Sequence, residues 1–162
     1  MKRASHSMLT CALAAALVSA HEPGHDEAAV DLGKGKVTIN YGTPKLNGRN
    51  LDEMIQPGNP WRMGMNDPTV LETTVPLDFG GKKLAVGKYT LFARPDEKKN
   101  WTLLLCSGRT PSTAVLEVPL RFTKEAKPVE VLKITLAKAA EGASLLVAWG
   151  TYRLHGTFKA GA

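Results

Sequence analysis

From residue 69 onward the chain is a succession of short segments with apolar and polar residues in alternation, each closed by Gly, Pro, Asp or Lys, and this restricts it to antiparallel sheet. The pattern predicts strands over 69–77, 88–94, 101–106, 114–122, 129–136, 144–149 and 151–159, with one more at Lys36–Tyr41 before the series starts. Trp101 to Cys106 is apolar on both alternating faces, as a strand covered on both sides should be. Pro119 has no N–H to give a ladder, so its strand is expected to lie at an edge or carry a bulge there. Residues 137–143 have helical composition but span two turns at most. The expected architecture is all-β: a single antiparallel β-sandwich, or a partly open barrel, with one long irregular loop.

That loop covers 42–68. Pro44, Pro57, Pro60 and Pro68, interleaved with Gly42, Gly48, Gly58 and Gly64, preclude a long regular element, although Leu51 to Ile55 suits one helical turn. Ordered loops of this length in compact domains are usually functional. Trp61 and the loop methionines are expected to pin it to the sandwich.

Ahead of the domain, Lys2 and Arg3 precede the apolar stretch Met8–Val18, and Val18-Ser19-Ala20 provides the small residues of a cleavage site. Residues 1–20 therefore read as a cleavable signal peptide, 21–35 as a flexible polar leader and 36–160 as the β-sandwich domain. The expected location is exported, periplasmic or extracellular. Cys11 stands near the start of the apolar run instead of after it, which does not fit a lipid-attachment box, and no other segment is apolar enough to span a membrane.

Cleavage would remove Lys2, Arg3 and no acidic residue, lowering the formal charge from +6 to +4 (21 basic residues less two, against 15 acidic). The remaining cations are scattered instead of gathered into a stripe, so nucleic acid is not an expected partner. Cleavage would also leave Cys106 as the single thiol, so the domain has no internal disulfide and must rest on its core. On a buried strand, Cys106 reads as a small hydrophobe.

Several sets of residues carry the candidate chemistry. Arg49, Arg62, Asn66 and Asp67 lie in the loop beside Trp61, and together they offer forked donors, an amide and a carboxylate for a small polar ligand or an envelope component. The competing reading is that Arg62 and Asn66 serve the loop's own carbonyls. Tyr41, Trp61, Tyr89, Trp101, Trp149 and Tyr152 offer aromatic faces to a sugar; Trp101 and Trp149 sit in apolar runs and are expected in the core, which leaves Trp61, the only one in a loop, as the candidate for ligand contact. Asp52-Glu53 and Asp67 are the acidic groups on which a hydrolase of cell-envelope glycan, or of another small polar substrate, would draw. His21, the residue that cleavage would expose, and His25 are weak copper candidates, since an amino-terminal histidine supplies both an amine and an imidazole. His155 reads as a strand residue. There is no phosphate-binding Gly-rich loop and no nucleophile motif, so neither a cofactor nor a catalytic residue is assigned. The residues set no oligomeric state. The leading expectation is a non-enzymatic binding module that uses the 42–68 loop, with the hydrolase and the copper protein as alternatives.

Tyr41-Gly42-x-Pro44, Gly48-Arg49 and Pro60-Trp61-Arg62-x-Gly64-x-Asn66, followed by Gly81-x-x-Leu84-x-x-Gly87-x-Tyr89-x-Leu91-Phe92, Trp101-Thr102 and Trp149-Gly150, form a distinctive series. In these runs the chain resembles an exported bacterial family of unknown function, DUF2911, over about residues 36–158. The resemblance implies a β-rich exported domain and brings no activity with it. The chain departs from the family pattern at Asp67 and Cys106.

Overall fold

A computed structural model describes residues 24–162, so the expected signal peptide and His21 lie outside the described residues. In chain order the elements are β1 (His25–Asp31), β2 (Lys36–Gly42), the single-turn helix α1 (Leu51–Met54), β3 (Val70–Thr73), β4 (Leu77–Phe79), β5 (Lys82–Leu84), β6 (Gly87–Pro95), β7 (Trp101–Cys106), β8 (Ala114–Ala139) and β9 (Gly142–Ala160). The strands form one antiparallel sheet in the order β1-β2-β3-β6-β7-β8-β9-β4-β5, which is not closed into a barrel.

Burial follows the alternation. In β2, Val37, Ile39 and Tyr41 point inward, and in β8 so do Val118 and Leu120, then Leu132, Ile134 and Leu136. These side chains meet Leu71, Leu91, Leu103, Leu105, Leu145, Val147 and Leu154 in one core. The reverse face of β6–β7 carries a separate small cluster of Phe92, Leu104 and Cys106, which accounts for the two-sided apolar pattern of β7. Cys106 is a buried free thiol, and burial pushes its pKa up.

The sheet becomes a sandwich because β8 bends. Its pairing with β9 shifts register between Lys124 and Val129 and again between Val129 and Lys133. Pro128, with no N–H, falls in the first break. In the second break β8 turns from β9 to the start of the long loop: Leu46 N–H donates to Glu130 O (2.7 Å) and Leu132 N–H donates to Pro44 O (3.0 Å). The bend lays β8 over the first strands. There the buried Tyr41 hydroxyl accepts from Ile134 N–H (3.0 Å), and the Lys133 ammonium reaches Asp26 of β1 (2.9 Å).

Four expectations need correction. The leader is not flexible through residue 35: His25–Asp31 is an edge strand paired in full register with β2, and its inward residues Ala28 and Val30 are buried. Two small apolar side chains suffice because an edge strand covers only the rim of the core. The segment 69–77 is two strands, β3 and β4, separated at Thr74-Val75-Pro76. Residues 137–143 form the β8–β9 hairpin, with Ala139 paired to Gly142, instead of a helix. Finally, 114–122 with 129–136, and 144–149 with 151–159, are each one strand, the first of them bulged where its register with the second shifts.

Candidate functional site

The 42–68 loop is a strap tied down along its length. Its first part pairs with β8 through the Lys45–Val131 bridge. Next, Asn50 caps α1: its side-chain oxygen accepts from Asp52 N–H (3.0 Å), and its side-chain amide donates to the Glu53 carboxylate (3.3 Å). Gln56 donates to the carbonyls of Asp52 and Glu53 at the other end. Beyond the helix, Gly58 N–H donates to Pro95 O, and Trp61 exchanges two backbone hydrogen bonds with Ala93, so the strap continues the edge of β6 where β3 stops. Met63 is fully buried beneath it. Gly42 allows this close passage, since a Cβ there would lie 2.1 Å from the Met65 carbonyl oxygen.

Under the strap lies an aromatic cluster. Trp61 stacks on Trp149 (centroids 5.8 Å apart, planes 7° apart) and meets Trp101 edge-on, while Trp101, Phe122 and Tyr152 pack against one another. Trp101 and Trp149 are buried core residues, as expected, and Trp61 is half-buried. The rings face one another and present no open stacking platform.

At the edge of this cluster α1 and Gly150–Tyr152 enclose a groove of about 270 Å³ whose polar members are Arg49, Asn50, Asp52 and Thr151. Gly150 has φ +51°, and its missing side chain makes room for Leu51, whose Cδ1 would be 3.0 Å from a Cβ. The Arg49 guanidinium lies over the Trp149 ring at 5.6 Å and donates to the carbonyls of Lys45 and Leu46, so its position is fixed although it is exposed. Opposite, the Tyr152 hydroxyl donates to Asp52, and the Lys124 ammonium donates to both carboxylate oxygens at 2.9 Å. The hydrogen bond from Tyr152, and then that from Lys124, hold the Asp52 carboxyl below its ordinary pKa. Burial, and then Asp52, push the Tyr152 phenol up, so it remains a donor at neutral pH.

The remaining loop candidates lie elsewhere. Arg62 donates to the carbonyl oxygen of Asn66 (2.8 Å), closing a tight turn in which Met63 and Asn66 have positive φ. This is the self-satisfying role, and Arg62 faces a different cavity, beside Arg109. Asp67 is 74 % exposed and sits 3.3 Å from the His25 imidazole. Asp52, Glu53 and Asp67 are not a carboxylate pair: Asp52 turns to Tyr152 and Glu53 to Asn50. No group of three or more His, Cys, Asp or Glu side chains is placed to hold a metal ion among the described residues. His155 is on β9 as expected. Among these residues no helix is long and apolar enough to cross a membrane.

Sequence reasoning missed the Asp52–Tyr152–Lys124 cluster, whose first two members stand 100 residues apart. The Asn-x-x-Glu cap is the one local signal that fixes how Asp52 projects. From this geometry a pH effect follows. Asp52 has a lowered folded pKa, so its stabilisation is fully present above about pH 3.8, its unfolded value, and is lost as pH falls through the folded value below that. Urea denaturation along a pH series should show a shallower acid limb for Asp52→Asn than for the parent chain; coincident limbs would mean the exposed pair contributes nothing to stability.

Fold and groove together define an open antiparallel β-sandwich with a strapped edge and a preformed polar groove. The family model described as "Protein of unknown function (DUF2911)" matches residues 24–158. The chain belongs to that family. No curated protein and no solved structure matches it.

Proposed function

We propose that this protein is an exported, non-enzymatic binding module that takes a small polar ligand in the groove between α1 and Gly150–Tyr152. One observation supports the reading above all: two exposed, oppositely charged side chains, Arg49 and Asp52, are held in fixed positions across one concavity. Charged groups whose rotamers are already restrained lose little entropy when a ligand arrives, and that lowers the cost of binding. Arg49 keeps guanidinium N–H donors beyond those given to Lys45 and Leu46, and Asn50 adds an amide at the rim. The absence of catalysis is supported by Asp52 being engaged with a protonated phenol and an ammonium, neither of them a base at neutral pH.

A thermal-shift panel of N-acetylglucosamine, galacturonate, glycine and citrate tests the proposal. At about 10 mM, a ligand with Kd near 1 mM stabilises the fold by about 1.4 kcal/mol, which raises Tm by roughly 4 °C. At least one member should do so with the parent chain and not with Arg49→Ala. A panel without effect, or a shift that Arg49→Ala leaves intact, counts against it.

Export is part of the same proposal, supported by the charged, apolar and small-residue series of residues 1–20. Intact-mass measurement of the product from a periplasmic or culture fraction is expected to give a chain starting at His21. An uncleaved chain retained in the cytoplasm would contradict it.

A further inference from the structure

A second concavity lies further along β9, at His155–Thr157. The β8–β9 ladder ends at Arg121–His155, yet β8 extends back to Ala114 and β9 on to Ala160, so the two strands part. The β4–β5 hairpin spans the gap: β4 pairs with β9 only at Ala160 and Lys159, and the Lys82 ammonium on β5 donates to the Glu117 carbonyl oxygen of β8 (2.7 Å). The wedge left between them is a cavity of about 440 Å³, within the size range of small-molecule sites. Pro119 lies along it, paired with Thr102 on β7 and with no partner on the β9 side, so the edge position expected of this proline exists at the wedge.

The lining divides into two kinds. Phe79, Val118 and Pro119 supply apolar surface, and Lys82, Arg121 and His155 supply cationic or protonatable groups. Arg121 and His155 are direct cross-strand neighbours, so their side chains leave the sheet on the same face. Lys82 already has a carbonyl partner, whereas the Arg121 guanidinium has none among the described residues. No carboxylate lines the cavity, and the Glu117 side chain on β8 is turned to Arg94 at 3.2 Å.

We infer that this wedge is a second ligand site, for a small molecule with an apolar body and one carboxylate, the body against Phe79, Val118 and Pro119 and the carboxylate on Arg121 beside His155. A planar guanidinium is the side chain best matched to a carboxylate. The apolar floor favours a ligand that carries carbon surface with its charge over a bare hydrated anion, because burying that surface contributes to binding.

The site is coupled to protons through His155. Its Nε2 contacts the Thr123 hydroxyl (3.1 Å). Burial, and then the Arg121 charge, hold its pKa below the ordinary histidine value, with Arg153 acting in the same sense, Glu125 opposing, and Lys82 facing it across the wedge. The free site is therefore neutral at His155 at pH 7. A bound carboxylate favours the imidazolium, so binding takes up a proton. Affinity rises as pH falls through the bound-state value and levels off below the free-state value.

Phenylacetate is the probe, with neutral phenylacetamide and inorganic phosphate as comparisons, each titrated into the purified chain and followed by NMR. The expected result is saturable phenylacetate binding that shifts the amides of Gly156 and Thr157 and tightens severalfold between about pH 7.5 and about pH 5.5. Arg121→Gln should weaken it about tenfold, and His155→Gln should keep the high-pH affinity while losing the pH dependence. Equal binding of the amide or of phosphate, pH-independent binding, shifts confined to other regions, or no binding would each overturn the inference. These reporters are distinct from the groove residues Gly150 and Thr151, so failure here leaves the α1 groove untouched, and the reverse holds as well.

Discussion

Arg153→Ala is expected to destabilise the fold by about 3–5 kcal/mol, measured as a lower urea midpoint with unchanged slope. Arg153 is 5 % exposed, and its guanidinium donates to the carbonyls of Gly150, Tyr152 and Lys127 at 2.8–2.9 Å while its Nε lies 3.5 Å from Glu125. These carbonyls flank the first register break between β8 and β9, where the ladder supplies no partner. One planar fork thus substitutes for the missing strand hydrogen bonds at the bend that makes the sandwich. Truncation leaves buried acceptors without donors, and each such orphan costs about 1–3 kcal/mol. Arg153→Lys keeps the charge but has a single nitrogen for three carbonyls, so it should recover only part of the loss. A change below about 1 kcal/mol would mean that water satisfies the bend unaided.

Trp149→Ala is expected to cost about 3–5 kcal/mol as well, and in addition to detach the strap. The indole is 2 % exposed, stacks on Trp61, carries Arg49 above its ring and donates its N–H to Glu130 O (3.3 Å). Its removal opens a cavity in the core and takes away the surface on which both the loop tryptophan and the groove arginine rest. Amide exchange at Trp61 and Arg49 should accelerate beyond what the global loss accounts for, because the strap opens locally. Trp149→Phe keeps an aromatic face but not the N–H donor, and should cost roughly half as much. If exchange in the strap tracked only global stability, Trp149 would be a core residue without any role in placing Arg49. Either loss is large against the 5–15 kcal/mol that a domain of this kind typically holds.

How far these features could be read from the residues depended on whether the signal was local. β7 has the bounds its apolar run suggests, and β2 and β6 agree to within a residue, because period-two burial is written into consecutive side chains. Pro128 and Gly150 are local signals too: Pro128 marks a real register break in β8, and Gly150 a left-handed residue within β9. What they do not encode is that the chain resumes in the same strand, since that depends on the Arg153 fork and on the strap residues Pro44 and Leu46 arriving from far away. β1 escaped notice because an edge strand buries only Ala28 and Val30, and its His, Asp and Glu residues look like those of a leader.

The loop was recognisable as unusual from its prolines and glycines, but its candidate residues did not converge. Arg49 and Trp61 meet at Trp149, whereas Arg62 and Asn66 bond each other and Asp67 sits with His25. The groove's other half, Asp52 with Tyr152 and Lys124, is a long-range contact on which spacing in sequence is silent. Composition located the loop; only the fold located the concavity.

Whether this concavity holds a ligand is decided by amide chemical-shift mapping of the purified chain with the most stabilising member of the thermal-shift panel. Saturable shifts are expected at Arg49, Asn50, Gly150, Thr151 and Tyr152, including the Arg49 Nε–H, all abolished by Arg49→Ala in a variant that remains folded. Shifts centred on Arg62, Asn66 and Asp67, or shifts that survive Arg49→Ala, would place binding elsewhere and contradict it.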